Sequence, residues 1–394
     1  MVKIKYVAKI NMKKLLVIHN KYQNIGGEDI AVQNEIEFLE NNYQVEVLYY
    51  QNKISNYLND LITFLTTKNK NSLSLLKNKI DSFKPDIVYI HNTWFKASLG
   101  VFDLLEKEKI DTVVKLHNFR YFCTRSFLNS KHLRGDSLCQ GCGYKKTRFG
   151  FLNKYFKESI IKSFFILIYG KRYFSILRKP NLKVLVLTDF HKKFIENLDE
   201  FKSKIYVHPN PISVKHNEAG MNNEKYILYA GRVSEEKGVE ELINAFLNSE
   251  LNNIKLKIVG DGPTLNYLKN KYSDNLAIEF QGLKSNEDVI KLIQNSLAVV
   301  TATKLYEGQP TLLCEASYLG VPSIYPQTGG INEFFPKNYE LAFKQFDYSD
   351  LKNKLKAIEN KENIKKIGEK NKEFIFTYLS ESKVLDRFNM ILDE

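Results

Sequence analysis

The chain has 394 residues and is 43% apolar, enough for two domains each with its own core. No apolar run approaches the ~18 residues of a membrane-spanning helix. The four cysteines make no disulfide framework and fit a reducing cytoplasm. A net charge of +13 points toward an anionic ligand or surface.

In chain order, residues 1–11 are expected to be a disordered leader ahead of Met12, without the cleavage site of a signal peptide. Short apolar runs then alternate with helical stretches. The first half holds KLLVIHN (14–20), VEVLYY (45–50), DIVYIHN (86–92), TVVKLHN (112–118), KVLVLTD (183–189) and KIYVHPN (204–210). The second holds KYILYAGRV (225–233), KLKIVGDG (255–262), IEFQG (278–282), LAVVTAT (297–303) and VPSIYPQ (321–327). Continuously apolar strands separated by helices predict parallel sheets covered on both faces. Two such series predict two doubly wound, Rossmann-like domains, 12–210 and 211–375, with the linker in the Pro-, Gly- and Asn-rich stretch 208–225. Most strands end in a polar residue or glycine, and open α/β sheets bind ligands beyond those ends. Strand ends of two domains facing each other would form one cleft. His19 and His91 are expected to line it, each alone after its strand.

Three motifs carry chemistry. In LYEGQPTLLCEASYLGVPSI (305–324), Gly308 permits a turn, Pro310 suits a helix start and Gly320 a helix stop. Glu307 then precedes the helix and Glu315 lies one turn inside it, an arrangement suited to sugar hydroxyls beside N–H groups that can meet an anion. On spacing alone, two ordinary exposed glutamates fit equally well. In GRVSEEKG (231–238), Arg232 and Lys237 end a strand, where two cations suit a pyrophosphate leaving group. Plain surface charge at a helix start is the competing reading. Gly26-Gly27 follows the first strand and would let backbone approach a phosphate, and TGGINE (328–333) is a similar turn in the second half. No Gly-x-Gly-x-x-Gly fingerprint and no Asp-x-Asp pair follows a strand, so neither a dinucleotide nor a metal-held diphosphate is expected.

Taken together, Gly26-Gly27, LHN, GRVSEEKG, IVGDGP, the two glutamates with seven residues between them, ASYLGVPSI and TGGINE resemble the family-4 retaining glycosyltransferases of the GT-B fold, over roughly residues 13–390. The resemblance implies the following roles. Arg232 and Lys237 hold the donor diphosphate, Glu307 the donor sugar and Glu315 the ribose. The turn residues Gly308, Gln309 and Thr311 border the donor, Gly26 and Gly27 touch the diphosphate, and backbone at Leu283 meets the base. His117 lies near the sugar and the reacting carbon, and with Glu307, Arg232 and Lys237 makes up the catalytic set. Residues 376–394 resemble the family's last helix, which crosses back to the first domain. The sequence departs from the family at Gln309, where an aromatic is usual, and at Tyr318, where a small residue is usual.

The implied activity moves a sugar from a UDP- or GDP-sugar, with retention and without a catalytic cofactor, to a growing glycan or lipid-linked acceptor of a bacterial surface polysaccharide. Residues 144–183 hold eleven Lys or Arg, ten aromatics and one acid. Such a strip suits an anionic membrane surface, which would place the protein peripherally on the cytoplasmic face. A merely solvated basic face is the bland reading, and nucleic acid, though not expected, is the competing partner. Cys139 and Cys142 have metal-ligand spacing; with Cys123 and His132 they would complete a structural Cys3His zinc site, the alternatives being a redox pair or plain thiols. Cys314 reads as core packing. The other functions weighed are a sugar-nucleotide epimerase or phosphorylase on the same fold, and a nucleic-acid-binding protein.

Overall fold

The computed structural model describes residues 12–21, 26–52, 62–63, 65–119, 152, 159–197, 201–212, 214 and 224–394. These fall into two compact units, one running to Pro211 and joined by Asp386–Glu394, the other comprising Ile212–Leu385.

The first unit contains β1 (Lys14–Lys21), α1 (Gly27–Leu39), β2 (Gln44–Gln51), α2 (Lys70–Phe83), β3 (Ile87–Asn92), α3 (Gly100–Lys107), β4 (Asp111–Leu116), α4 (Ile160–Leu177), β5 (Lys183–Val186), α5 (Asp189–Glu196) and β6 (Lys204–Val207). The sheet order is β2-β1-β3-β4-β5-β6, with every pairing parallel. Leu15 to Ile18 and Val88 to Ile90 are fully buried, as strands covered on both faces must be. At the end of β1 the Asp29 carboxylate ties strand to helix. It accepts the Gly26 N–H at 2.9 Å and lies 2.8 Å from His19 Nε2, so the first turn of α1 is capped from within.

The second unit contains β7 (Tyr226–Ala230), α6 (Val239–Asn248), β8 (Lys255–Val259), α7 (Leu265–Lys271), β9 (Ile278–Gly282), α8 (Asn286–Gln294), β10 (Ala298–Val300), α9 (Thr311–Tyr318), β11 (Ser323–Gln327), β12 (Ala342–Lys344), α10 (Tyr348–Lys356) and α11 (Lys361–Tyr378). Its sheet order is β12-β11-β10-β7-β8-β9, again all parallel. The last helix, α12 (Glu381–Asp393), starts in this unit and ends in the first.

All eleven expected strands are present; β12, three residues long, was not expected. In each sheet the strand order reverses once, between β1 and β3 in the first unit and between β7 and β10 in the second. These switch points open a crevice beyond the carboxyl ends of the strands and are where such sheets bind ligands.

Under the first sheet lies a buried polar core. The Glu35 carboxylate on α1 accepts from Lys115 Nζ at 2.8 Å to both oxygens, from Tyr89 Oη at 2.9 Å and from His208 Nε2 at 3.1 Å. Lys115 and Glu35 are fully buried, and the surrounding donors hold the carboxyl well below its ordinary range despite burial. Phe388 on α12 is fully buried against Tyr89 and His208, with ring centroids 5.2 Å from each. Tyr43 donates to Asn389 on the same helix.

Candidate functional site

Of the residues that the sequence singles out in the second half, Arg232, Lys237, Glu307 and Glu315 lie on the elements about the β7/β10 switch point, and Leu283 lies apart, after the edge strand β9. β7 ends at Ala230, and Tyr229 Oη donates to the Arg232 carbonyl at 2.8 Å, fixing the turn that follows. The Arg232 side chain is exposed and forms no ion pair among the described residues. Lys237 closes a single 3₁₀ turn, Glu235–Lys237, which Gly238 terminates at φ +67°. A Cβ on Gly238 would stand 2.1 Å from the Ala302 carbonyl, so the turn presses directly on the end of β10. Lys304 N–H donates to the Glu236 carbonyl at 2.9 Å across the same seam.

Glu307 is held at this seam. Its Oε1 lies 2.6 Å from Lys237 Nζ and accepts from Thr303 Oγ1 at 2.8 Å. Its carbonyl accepts the Gly330 N–H at 2.9 Å. A side chain at Gly329, φ +58°, would meet the Glu307 backbone at 2.2 Å. The TGGINE turn is therefore the wall that sets the Glu307 loop. Past Gly308 and Gln309, α9 begins at Thr311 with Pro310 as its cap residue and no side-chain cap, so the N–H groups of its first turn are left for another acceptor. Gln309 hydrogen-bonds the Cys314 side chain, and Cys314 itself is fully buried with its thiol pushed up by burial, as core packing requires.

Glu315 sits one turn into α9, as the spacing predicts. It is only 6% exposed, and its carboxyl has no hydrogen-bond partner among the described residues. Burial raises it to about 7. A buried carboxyl without a donor is costly, and hydroxyl donors would relieve it. Tyr318 packs against Phe376 of α11, ring centroids 4.4 Å apart. Leu283 follows edge strand β9 and is 75% exposed.

In the first unit, Gly26 caps α1 and Gly27 is its first residue. Gly26 has an extended backbone, and a Cβ on Gly27 would meet nothing within 4 Å. The fold itself thus requires glycine at neither position. His117 lies just past β4 and lines a pocket with Glu28, Asn92, Trp94, Asn118 and Tyr173. Burial, then the Lys115 charge, lowers it to about 3.

The expectation that His19 and His91 stand alone after their strands is corrected. Both lie within strands and are buried. His19 pairs with Asp29, and His91 Nδ1 is 2.9 Å from His117 Nε2. The endings Ile18-His19-Asn20, Ile90-His91-Asn92 and Leu116-His117-Asn118 are alike, and only the sheet order tells which histidines meet. Thr303, four residues before Glu307, was not singled out, and Gly329 was flagged only as part of the TGGINE turn, because its contact with Glu307 depends on β10 and β11 being neighbours.

Cys123, His132, Cys139 and Cys142 lie outside the described residues, as does the leader 1–11. Among the described residues no three His, Cys, Asp or Glu side chains are grouped to hold a metal. Of the basic stretch, α4 is described: it buries Tyr169, Tyr173 and Phe174 and exposes Ile160, Ile161 and Phe164 beside Lys162. Among the described residues no helix is long and apolar enough to cross a membrane.

Comparison with known proteins agrees with this geometry. Residues 213–374, which contain the whole β7/β10 constellation, match the family model "Glycosyl transferases group 1". The chain is 30% identical over 150 residues to the amylovoran biosynthesis glycosyltransferase AmsD of Erwinia amylovora, a match covering 36% of this chain and 42% of the relative. It is 29% identical over 177 residues to the lipopolysaccharide 1,2-N-acetylglucosaminetransferase of Salmonella typhimurium, covering 41% and 46%. The chain thus spans less than half the length of these curated relatives. Among solved structures, Anabaena HepE in complex with UDP-glucose superposes with a TM-score of 0.69 at 13% identity, over 96% of this chain and 99% of that one. The fold is therefore that of the GT-B glycosyltransferases.

Proposed function

We propose that the chain is a retaining, hexosyltransferase-type glycosyltransferase of family 4. It moves a sugar from a UDP- or GDP-sugar to a growing glycan, lipid-linked, of a bacterial surface polysaccharide such as lipopolysaccharide or capsule. The observation that carries this reading is the β7/β10 switch point. There Lys237 and Thr303 fix Glu307, while among the described residues Arg232 forms no ion pair and the buried Glu315 carboxyl has no donor. That is a cation pair for a diphosphate beside two carboxyls for hydroxyls.

Breaking a sugar–diphosphate bond builds negative charge on the leaving group and positive charge at the anomeric carbon. Arg232, Lys237 and the open first turn of α9, with Gly308, Gln309 and Thr311 at its mouth, stabilise the leaving phosphates. Glu307 accepts from the donor sugar, Glu315 from the ribose, and backbone at Leu283 meets the base. Gly26 and Gly27 leave backbone open to the diphosphate, which accounts for two glycines that the fold does not need. His117, neutral at any physiological pH, contacts the sugar near the reacting carbon. In same-face attack the departing phosphate takes the acceptor's proton, so no enzyme nucleophile is required, and no catalytic metal enters the scheme. A structural zinc on Cys123, His132, Cys139 and Cys142 would be separate from it.

The exposed Ile160, Ile161 and Phe164 beside Lys162 suit peripheral attachment to an anionic membrane on the cytoplasmic side. The homology of residues 213–374 and the UDP-glucose bound to HepE support the donor class.

The test is transfer from labelled UDP- and GDP-sugars to membrane glycolipid. Glu307→Ala, Arg232→Ala and Lys237→Ala are each expected to cut it at least ~100-fold. Activity within a few-fold of wild type in all three would defeat the assignment. The anomeric configuration of the product, read by NMR, tests retention.

A further inference from the structure

We propose that His91 is a positioning residue that fixes His117 as the neutral tautomer with its proton on Nδ1. His117 is then a hydrogen-bond donor and not a general base. The proposal deepens the role given to His117 above and rests on that reading only for its effect on transfer.

β3 and β4 are parallel neighbours in the register Ile87↔Asp111 to Ile90↔Val114. Their identical His-Asn endings are therefore offset along the sheet, and His117 meets His91 side to side. The rings lie at 26° with centroids 5.2 Å apart, and His91 Nδ1 is 2.9 Å from His117 Nε2. One proton must lie between these two nitrogens.

Charge on His91 is opposed by burial. His91 is 4% exposed, and Glu35, whose charge favours its cation, is already matched by Lys115. With His91 neutral, two arrangements remain. If His117 donated from Nε2, His91 would carry its proton on its own Nε2, which is buried with no partner among the described residues. That leaves a buried donor unmet. If His91 donates from Nδ1, only a lone pair is unmet at its buried Nε2, and the donor left over is His117 Nδ1–H, on a half-exposed ring that lines the pocket; unmet donors are the rarer orphans in closed protein interiors. His91 is thus the donor, His117 Nε2 the acceptor, and the His117 proton is on Nδ1.

Among the described residues His91 is the sole hydrogen-bond partner of His117, so its Nδ1–H has no protein acceptor. The ring lines the pocket with Glu28, Asn92, Trp94 and Asn118. Neither nitrogen then offers a lone pair to a substrate hydroxyl. His117 can donate to a sugar oxygen, but the acceptor's proton must go elsewhere. Around the two rings stand Glu28, Glu35, Lys115, Tyr89, His19 and His191.

The experiment is long-range proton–nitrogen correlation NMR on histidine-labelled protein at pH 7. Wild type is expected to show His117 protonated on Nδ1 alone. His91→Leu should move that proton to Nε2, and His91→Asn, whose amide retains a donor, should return it. In transfer, His91→Leu should lower kcat roughly 10-fold with the donor KM unchanged, and His91→Asn should recover kcat. A wild-type His117 protonated on Nε2, or charged at pH 7, overturns the proposal whether or not any variant folds. So does an unchanged tautomer in folded His91→Leu. If the tautomers behave as stated while His117→Ala transfers at the wild-type rate, the positioning relation holds and the catalytic assignment of His117 fails.

Discussion

Glu307 and Glu315 are eight positions apart and in opposite electrostatic states. Glu307 is half-exposed and matched by Lys237, so it is ready as a fixed acceptor. Glu315 is buried and unmatched, raised to about 7 against an ordinary 4.5. The sign of its pH effect follows. Below about 4.5 both folded and unfolded states hold the proton. As pH rises toward 7 the unfolded state releases it first, so stability is lost across that window, by about 3 kcal/mol once pH exceeds 7. Thermal denaturation of Glu315→Gln is expected to lose this decline between pH 5 and 8. Saturating nucleotide sugar should reduce the decline in wild type, because ribose hydroxyls would satisfy the anion. An identical pH slope in the variant would show that Glu315 is not the group responsible.

At the scale of elements, the site depends on turns more than on helices. Gly329 illustrates this, since its left-handed backbone and its contact with Glu307 leave no room for a side chain. Gly329→Ala should displace the Glu307 loop, destabilising by about 1–3 kcal/mol and reducing transfer more than stability alone explains. Assay at a temperature where the variant is fully folded separates the two effects. Within the first unit, Phe388 packs the end of α12 against Tyr89 and His208. Phe388→Ala should cost about 3–5 kcal/mol in urea unfolding, because it opens a cavity over Tyr89 and His208 beside the Glu35–Lys115 pair. A cost under 1 kcal/mol would mean that the helix end is not part of that core.

Elements of this kind differ in how far sequence reveals them. Eleven strands were legible because parallel strands buried on both faces are continuous apolar runs. β12 was not, because Ala342–Lys344 is too short to show a pattern. The placement of Arg232, Lys237, Glu307 and Glu315 at a strand end and a helix start was legible in the sequence. The direct Lys237–Glu307 bond was not, because it joins residues 70 positions apart that only the β10–β7 pairing makes neighbours. Three strand runs end in His-Asn, so that ending alone did not single out the His91–His117 contact, and strand order was needed to read it.

Across the whole molecule, the two units should respond to pH in opposite directions. The first holds His117 and His191 at about 3, His208 at about 4 and His91 well below its ordinary value, in each case chiefly through burial. Histidines depressed in the folded state contribute stability that is full above about 6.5 and is lost as pH falls toward their folded values. The second unit, through Glu315, gains stability over the same fall. Amide hydrogen exchange at pH 5 and pH 8, corrected for intrinsic rates, should therefore show β3 and β4 relatively less protected at pH 5 and β7 and β10 less protected at pH 8. A shift of both units in the same direction would contradict this assignment.

The central claim is that the β7/β10 switch point grips the diphosphate of an activated sugar. A thermal-shift panel of UDP, GDP and their sugars against wild type and Arg232→Ala tests it most directly. Stabilisation of wild type by one nucleotide series, with most of it lost in Arg232→Ala, is the expected result. No stabilisation of wild type by any nucleoside diphosphate or its sugar, or equal stabilisation of the variant, would contradict it.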